Sequence, residues 1–184
     1  MTDILISLAK AAILVVLNQP DNFDLEHALK TFPILQEDGA AFITLTTEPN
    51  DRLRGCIGSL QAYRPLYKDI ISNAQAAALR DPRFKPLTIE ELDHIKIEVS
   101  ILSEPKKIEY RDLQDLKNKI TPYQDGIILK LQGNQATYLP QVWEDLPKFD
   151  AFFSSLCQKA NLRSNCLSQH PEISNYQVTK YKEK

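Results

Sequence analysis

Leu53-Arg54-Gly55-Cys56-Ile57-Gly58-Ser59-Leu60 follows Ala40-Ala41-Phe42-Ile43-Thr44-Leu45-Thr46 across the turn formers Glu48-Pro49-Asn50-Asp51. Apolar residues at every second position on both sides of such a turn predict a β-hairpin. Two glycines, an arginine and a thiol inside the second strand are unusual. Glycine within a strand marks a bulge, a bend or a close approach of another backbone or a ligand, so this hairpin is also where a site is expected.

Working outward, Ile4, Leu8, Ala11 and Val15 recur at helical spacing and predict an amphipathic helix that ends before Pro20. Pro65 fits the first turn of a helix reaching about Leu79, with Ile70, Ala74, Ala77 and Ala78 as a small-residue face. Thr88-Ile89-Glu90-Glu91 reads as a capping box. His94 to Leu102 then alternates as a strand, with Lys96, Glu98 and Ser100 on its polar face. A second hairpin, Gly126–Leu131 and Ala136–Leu139 around Gln132-Gly133-Asn134-Gln135, precedes helical stretches over Gln141–Leu146 and Phe149–Ala160. The alternating run Tyr176, Val178, Lys180 closes the chain as one strand. Hairpin, helix and strand thus occur twice in order, the pattern of an internal duplication. The expected fold class is α+β with antiparallel sheets in a single compact domain, residues 1–184, of two lobes.

The chain has 184 residues, 43% of them apolar, and a net charge of −2, enough for one well-buried core and too balanced to attract polyanions. Nucleic acid is therefore an unfavoured partner. Three cysteines without regular spacing read as free thiols in a reducing compartment. Lys10 interrupts the apolar N-terminal stretch, which is shorter than the ~18–20 residues of a membrane span and lacks a basic lead-in. A cytoplasmic location is expected.

Four runs in order carry a family likeness: Leu53-Arg54-Gly55-Cys56-Ile57-Gly58; Arg80-Asp81-Pro82-Arg83-Phe84-Lys85-Pro86-Leu87 with Glu91-Leu92 and Glu98-Val99-Ser100-Ile101-Leu102; Tyr138-Leu139-Pro140-Gln141-Val142; and Leu156-Cys157-Gln158-Lys159-Ala160. Over nearly the whole chain they resemble the AMMECR family, named for the Alport, midface hypoplasia and elliptocytosis chromosomal region. Its prokaryotic members are called AmmeMemoRadiSam system protein A. The family lacks an established activity. The resemblance implies an association with a Memo-type protein of extradiol-dioxygenase-like fold and a radical S-adenosylmethionine protein in a shared modification pathway. Asn161 stands where the family commonly has glycine, and Asn165 where tryptophan is expected, which leaves that segment without an implied role.

Within these runs Cys56 is a candidate nucleophile if Arg54 or the amides at Gly55 and Gly58 favour its thiolate; it is equally a candidate ligand contact or a small buried hydrophobe. In a regular strand Arg54 and Cys56 share a face. Arg54 and Arg83 could fork a carboxylate or phosphate, or instead pair with Glu98 or Asp81 to fasten the hairpin. Glu98 could orient Arg54 or act as a base. Gln141 stands at a strand-to-helix junction, where free amides suit an anion, and a capping role accounts for it as well. Cys157 reads as core. Cys166 and His170 lack a second ligand pair, so no metal is expected. No phosphate loop or dinucleotide fingerprint is present, and no cofactor is implied. Two functions follow: an accessory or binding protein offering the Arg54–Gly58 site to a partner or small anionic ligand, or a thiol-dependent enzyme with Cys56 as nucleophile on an acidic substrate.

Overall fold

The computed structural model describes residues 1–183. Two compact units divide the chain, one of residues 1–102 and 179–184, the other of residues 103–178. The first unit holds α1 (Thr2–Val16), α2 (Leu25–Thr31), β1 (Ala40–Thr47), β2 (Arg52–Gly58), α3 (Leu66–Leu79) and β3 (Ile95–Leu102). The second holds β4 (Lys106–Ile108), α4 (Leu113–Lys119), β5 (Gly126–Leu131), β6 (Asn134–Tyr138), α5 (Val142–Asp145), α6 (Phe149–Lys159) and β7 (Glu172–Tyr176). The last strand, β8 (Val178–Lys182), returns to the first unit's sheet.

Each unit is built on one antiparallel four-stranded sheet, ordered β2-β1-β3-β8 in the first and β4-β7-β5-β6 in the second. The duplicated order of elements is thereby a duplicated topology. In both, the hairpin is followed by helix and then by a strand that pairs with the first hairpin strand, β3 on β1 and β7 on β5. A further strand extends each sheet beyond it. The fold is α+β, as the strand and helix order requires.

Ala41, Ile43 and Leu45 of β1 and Ile97 and Val99 of β3 form one core with Leu5, Leu8, Ala9 and Ile13 of α1 and Ile70, Ala74, Ala77 and Ala78 of α3. Their alternate neighbours, Phe42, Thr44 and Thr46 and Lys96, Glu98 and Ser100, occupy the far face of the sheet. The second core gathers Ile127, Leu129 and Ile173 with Phe152, Phe153 and Leu156 of α6 around Trp143, whose ring stacks on Phe152 at 3.6 Å between centroids.

Three expectations are corrected. The run Tyr176-Val178-Lys180 is two strands, parted at Gln177, whose backbone accepts from and donates to Ser103. Alternation continues through the junction, so period alone could not show that the two strands pair in different sheets. Next, α2 was not foreseen; Asp24 caps it by accepting the His27 amide at 2.9 Å. Finally, the three cysteines are not all free: Cys157 and Cys166, both fully buried, form a disulfide between α6 and the short turn Cys166–Gln169. Cysteine count therefore no longer argues for a reducing compartment, and Cys166 is not available to pair with His170 as a metal ligand. No helix of the described residues is long and apolar enough to cross a membrane.

Candidate functional site

The β2 strand owes its geometry to its glycines. A Cβ on Gly55 would sit 2.3 Å from the Ala77 carbonyl oxygen, so the α3 backbone packs directly on the strand there. A Cβ on Gly58 would sit 2.2 Å from Phe42 Cγ, because that ring lies over the glycine. Both residues serve close packing.

Between them the strand is irregular. Leu45 pairs with Gly55 and Thr46 with Leu53, which leaves Arg54 as the extra residue of a bulge. The expected sharing of a face by Arg54 and Cys56 is thus replaced by a re-aimed Arg54. Its Nε and Nη2 donate to Glu91 Oε1 and Oε2 at 2.8 and 2.9 Å, and Nη2 also reaches the Pro86 carbonyl at 3.4 Å. Glu91 Oε2 accepts the Thr88 amide at 3.0 Å, one half of the expected capping box. This hydrogen-bonded pair raises the Arg54 guanidinium further and lowers the Glu91 carboxyl below its ordinary value.

Cys56 is held through its backbone. Asp81, 4% exposed, accepts the Cys56 amide at 2.8 Å through Oδ2, and Arg83 Nη2 donates to the Cys56 carbonyl at 3.2 Å. Arg83 closes the loop onto Asp81 through Nε and Nη2 at 3.0 and 2.7 Å. The Asp81–Arg83 segment therefore occupies the backbone groups that an edge strand leaves unpaired. The Arg83 guanidinium, assisted by the Cys56 and Arg83 amides, holds the Asp81 carboxyl well below the usual carboxylate range. Phe84 lies between the arginines, 5.9 Å from Arg54 Cζ and 5.5 Å from Arg83 Cζ to the ring centroid.

On the far face of the sheet, Thr44 stands opposite Cys56 on one side and Glu98 on the other. The Thr44 hydroxyl donates to Cys56 Sγ at 3.4 Å. Glu98 is not paired with Arg54. Its carboxylate accepts from Ser100 Oγ at 3.2 Å and lies 3.0 Å from Lys182 Nζ and 4.0 Å from Lys180 Nζ. Strand registry thus unites Cys56, Thr44 and Glu98, and the loops unite Arg54, Arg83, Asp81 and Glu91 around the same strand. Gln141 belongs to the second unit, where it precedes the four-residue α5, is exposed and makes no side-chain cap.

Sequence reasoning passed over a buried polar cluster that secures the other end of β2. Asp69, fully buried, accepts from the Ala41 amide, Ser59 Oγ and Arg64 Nε, and Asn73 Nδ2 donates to the Ala41 carbonyl, Ser59 Oγ and Asp69. Asp69 and Asn73 are four apart on the helix face that carries Ile70 and Ala74; two polar residues at that spacing on an apolar face were the available signal.

The fold and this β2 assembly define an α+β protein with a hairpin site locked by an Asp-Pro-Arg-Phe loop. The AMMECR1 family model matches residues 6–181, and the chain belongs to that family. Protein Ta0236 of Thermoplasma acidophilum is 38% identical over 154 residues, 83% of this chain and 74% of that protein. Protein SSO0193 of Saccharolobus solfataricus is 39% identical over 143 residues, 73% of this chain and 61% of that protein. The crystal structure of the uncharacterised protein PH0010 from Pyrococcus horikoshii superposes with a TM-score of 0.79 at 31% identity, covering 98% of this chain and 90% of that one.

Proposed function

We propose that this protein is a binding or accessory protein that presents the far face of its first sheet, around Cys56, Thr44 and Glu98, to a small anionic ligand or a partner protein. The observation that carries the reading is the surroundings of the sulfur. Its hydrogen-bond partner is the Thr44 hydroxyl, which donates to it; no carboxylate or imidazole hydrogen-bonds it among the described residues. A thiol nucleophile needs a positioned base or a cation committed to the thiolate. Arg54 is committed to Glu91, and Arg83 chiefly to the buried Asp81, with the Cys56 side chain a lesser neighbour of its guanidinium. Arg54 and Arg83 are positioning residues in this reading, fixing the strand that displays Cys56. Gln141 is kept as a proposed contact of the second unit only.

The family resemblance extends the proposal to a cytoplasmic pathway shared with a Memo-type protein and a radical S-adenosylmethionine protein. Ligand-observed NMR against a mixture of dicarboxylates and sugar phosphates tests the reading with wild type and Cys56→Ser. Binding without turnover, retained by Cys56→Ser, is expected. New product resonances with wild type that vanish in Cys56→Ser would replace it with the thiol enzyme acting on an acidic substrate.

A further inference from the structure

We infer that the free edge of the Arg54 guanidinium is a subsite for a neutral amide carbonyl, and that the Phe84 ring is the lid over it. The inference rests on the binding reading above and names a chemistry by which a partner or ligand is gripped beside Cys56.

One side of this guanidinium is occupied and the other is not. Arg54 Nε and Nη2 donate to the two oxygens of Glu91 at 2.8 and 2.9 Å. Toward the other edge Nη2 has only the Pro86 carbonyl, at a long 3.4 Å. Nη1 has nothing: among the described residues it is the one buried side-chain nitrogen or oxygen without a hydrogen-bond partner. A donor so placed has lost water and gained no acceptor, an arrangement rare in folded proteins and one that calls for a cause. The β2 bulge supplies the context, because it re-aims Arg54 out of the regular strand toward the loop that carries Pro86 and Glu91.

Phe84 screens this guanidinium without satisfying it. Its ring lies over Arg54 at 5.9 Å, at the limit of about 6 Å for attraction between a cation and a π face. Phe84 is half-buried while its neighbours Pro82, Arg83, Lys85 and Pro86 are exposed. A change of rotamer therefore carries the ring into solvent while Asp81 and Arg83 keep hold of Cys56. Charge decides what takes its place. Glu91 already neutralises Arg54, and Asp81 neutralises Arg83. An anion would find no net positive charge there, whereas a neutral carbonyl oxygen needs only the free N–H groups. An amide carbonyl, from a partner's main chain or from a primary amide, is the matching group.

The test is an NMR titration that follows the backbone amides and the Arg54 guanidinium resonances, with N-methylacetamide, acetamide and, as the charged counterpart, acetate. Saturable shifts of the Arg54 guanidinium together with the Phe84 and Lys85 amides are expected with at least one of the two amides. Tighter binding of N-methylacetamide marks a main-chain carbonyl, and tighter binding of acetamide a primary amide. Phe84→Ala removes the lid and should lower the dissociation constant about tenfold, as for a lid open about a tenth of the time in wild type; Phe84→Leu should lower it by less. Equal affinity in wild type and Phe84→Ala, acetate binding as tightly as the amides, shifts that leave the Arg54 guanidinium unmoved, or no saturation even in Phe84→Ala would each overturn the assignment while leaving the binding reading in place. Failure of the binding reading itself is registered separately, as Cys56-dependent turnover in the metabolite screen.

Discussion

Replacing Asp81 with alanine should loosen β2 without touching either sheet core. The carboxylate accepts the Cys56 amide at 2.8 Å, a hydrogen bond to a charged group worth about 1.5–3 kcal/mol. Its ion pair with Arg83 adds little, about 0–1 kcal/mol, since that side chain is 53% exposed. The expected loss is about 1.5–4 kcal/mol. The only tryptophan, Trp143, lies in the second unit, so its fluorescence would miss the effect. Native-state hydrogen exchange of the β1 and β2 amides is the appropriate assay, read at neutral pH and in acid. The acid arm follows from the sign of the Asp81 shift. A carboxyl held below its unfolded value contributes fully above about pH 4 and loses that contribution as pH falls further. Asp81→Asn should therefore be less stable than wild type at neutral pH, by an amount that shrinks below about pH 4. A loss under about 0.5 kcal/mol, or one that stays constant into acid, would refute the assignment of Asp81 as the clasp of the edge strand.

Gly55→Ala should destabilise the first unit by about 1–3 kcal/mol, measured by the same exchange experiment, because the added methyl meets the backbone oxygen of Ala77 rather than a movable side chain. Burial pushes the Tyr110 phenol, which donates to the Pro171 carbonyl at 2.7 Å, up to about 12. Its contribution is complete below the ordinary tyrosine value of about 10 and lost as pH rises from there through its folded value. Trp143 fluorescence should report alkaline loosening of the second unit over that range, diminished in Tyr110→Phe. Reduction of Cys157–Cys166, which are nine positions apart, should lower the urea midpoint of the same signal by the equivalent of about 2.5 kcal/mol from loop closure, and an unchanged midpoint would discount the staple.

Much of this architecture is legible in the chain because period-two alternation survives wherever one face of a strand is buried. The first hairpin, β3, β5 and β6 follow from it directly. What escapes is information that resides in pairing partners. Nothing between Tyr176 and Val178 marks a change of sheet, and the bulge at Arg54 arises from the register of β1 on β2. That one-residue irregularity also explains why the site was read only in part. Arg54, Cys56, Arg83 and Glu98 do gather about β1 and β2, and Asp81, two residues from Arg83, is the partner the sequence offers; yet Glu91, the partner of Arg54, is distant in sequence, and Glu98 meets lysines of β8 from the far end of the chain. Charged residues in motifs announce that a pairing matters; topology decides with whom.

The central claim is that Cys56 sits on a binding surface and is not an activated nucleophile. Its rate of alkylation by iodoacetamide, followed by peptide mapping and compared with free cysteine across mildly acidic to mildly alkaline pH, tests this most directly, with the Cys157–Cys166 disulfide left intact so that one thiol is counted. The account predicts labelling no faster than free cysteine throughout, and little changed in Glu98→Gln. Labelling of Cys56 that outpaces free cysteine in mild acid, and slows in Glu98→Gln, would contradict it.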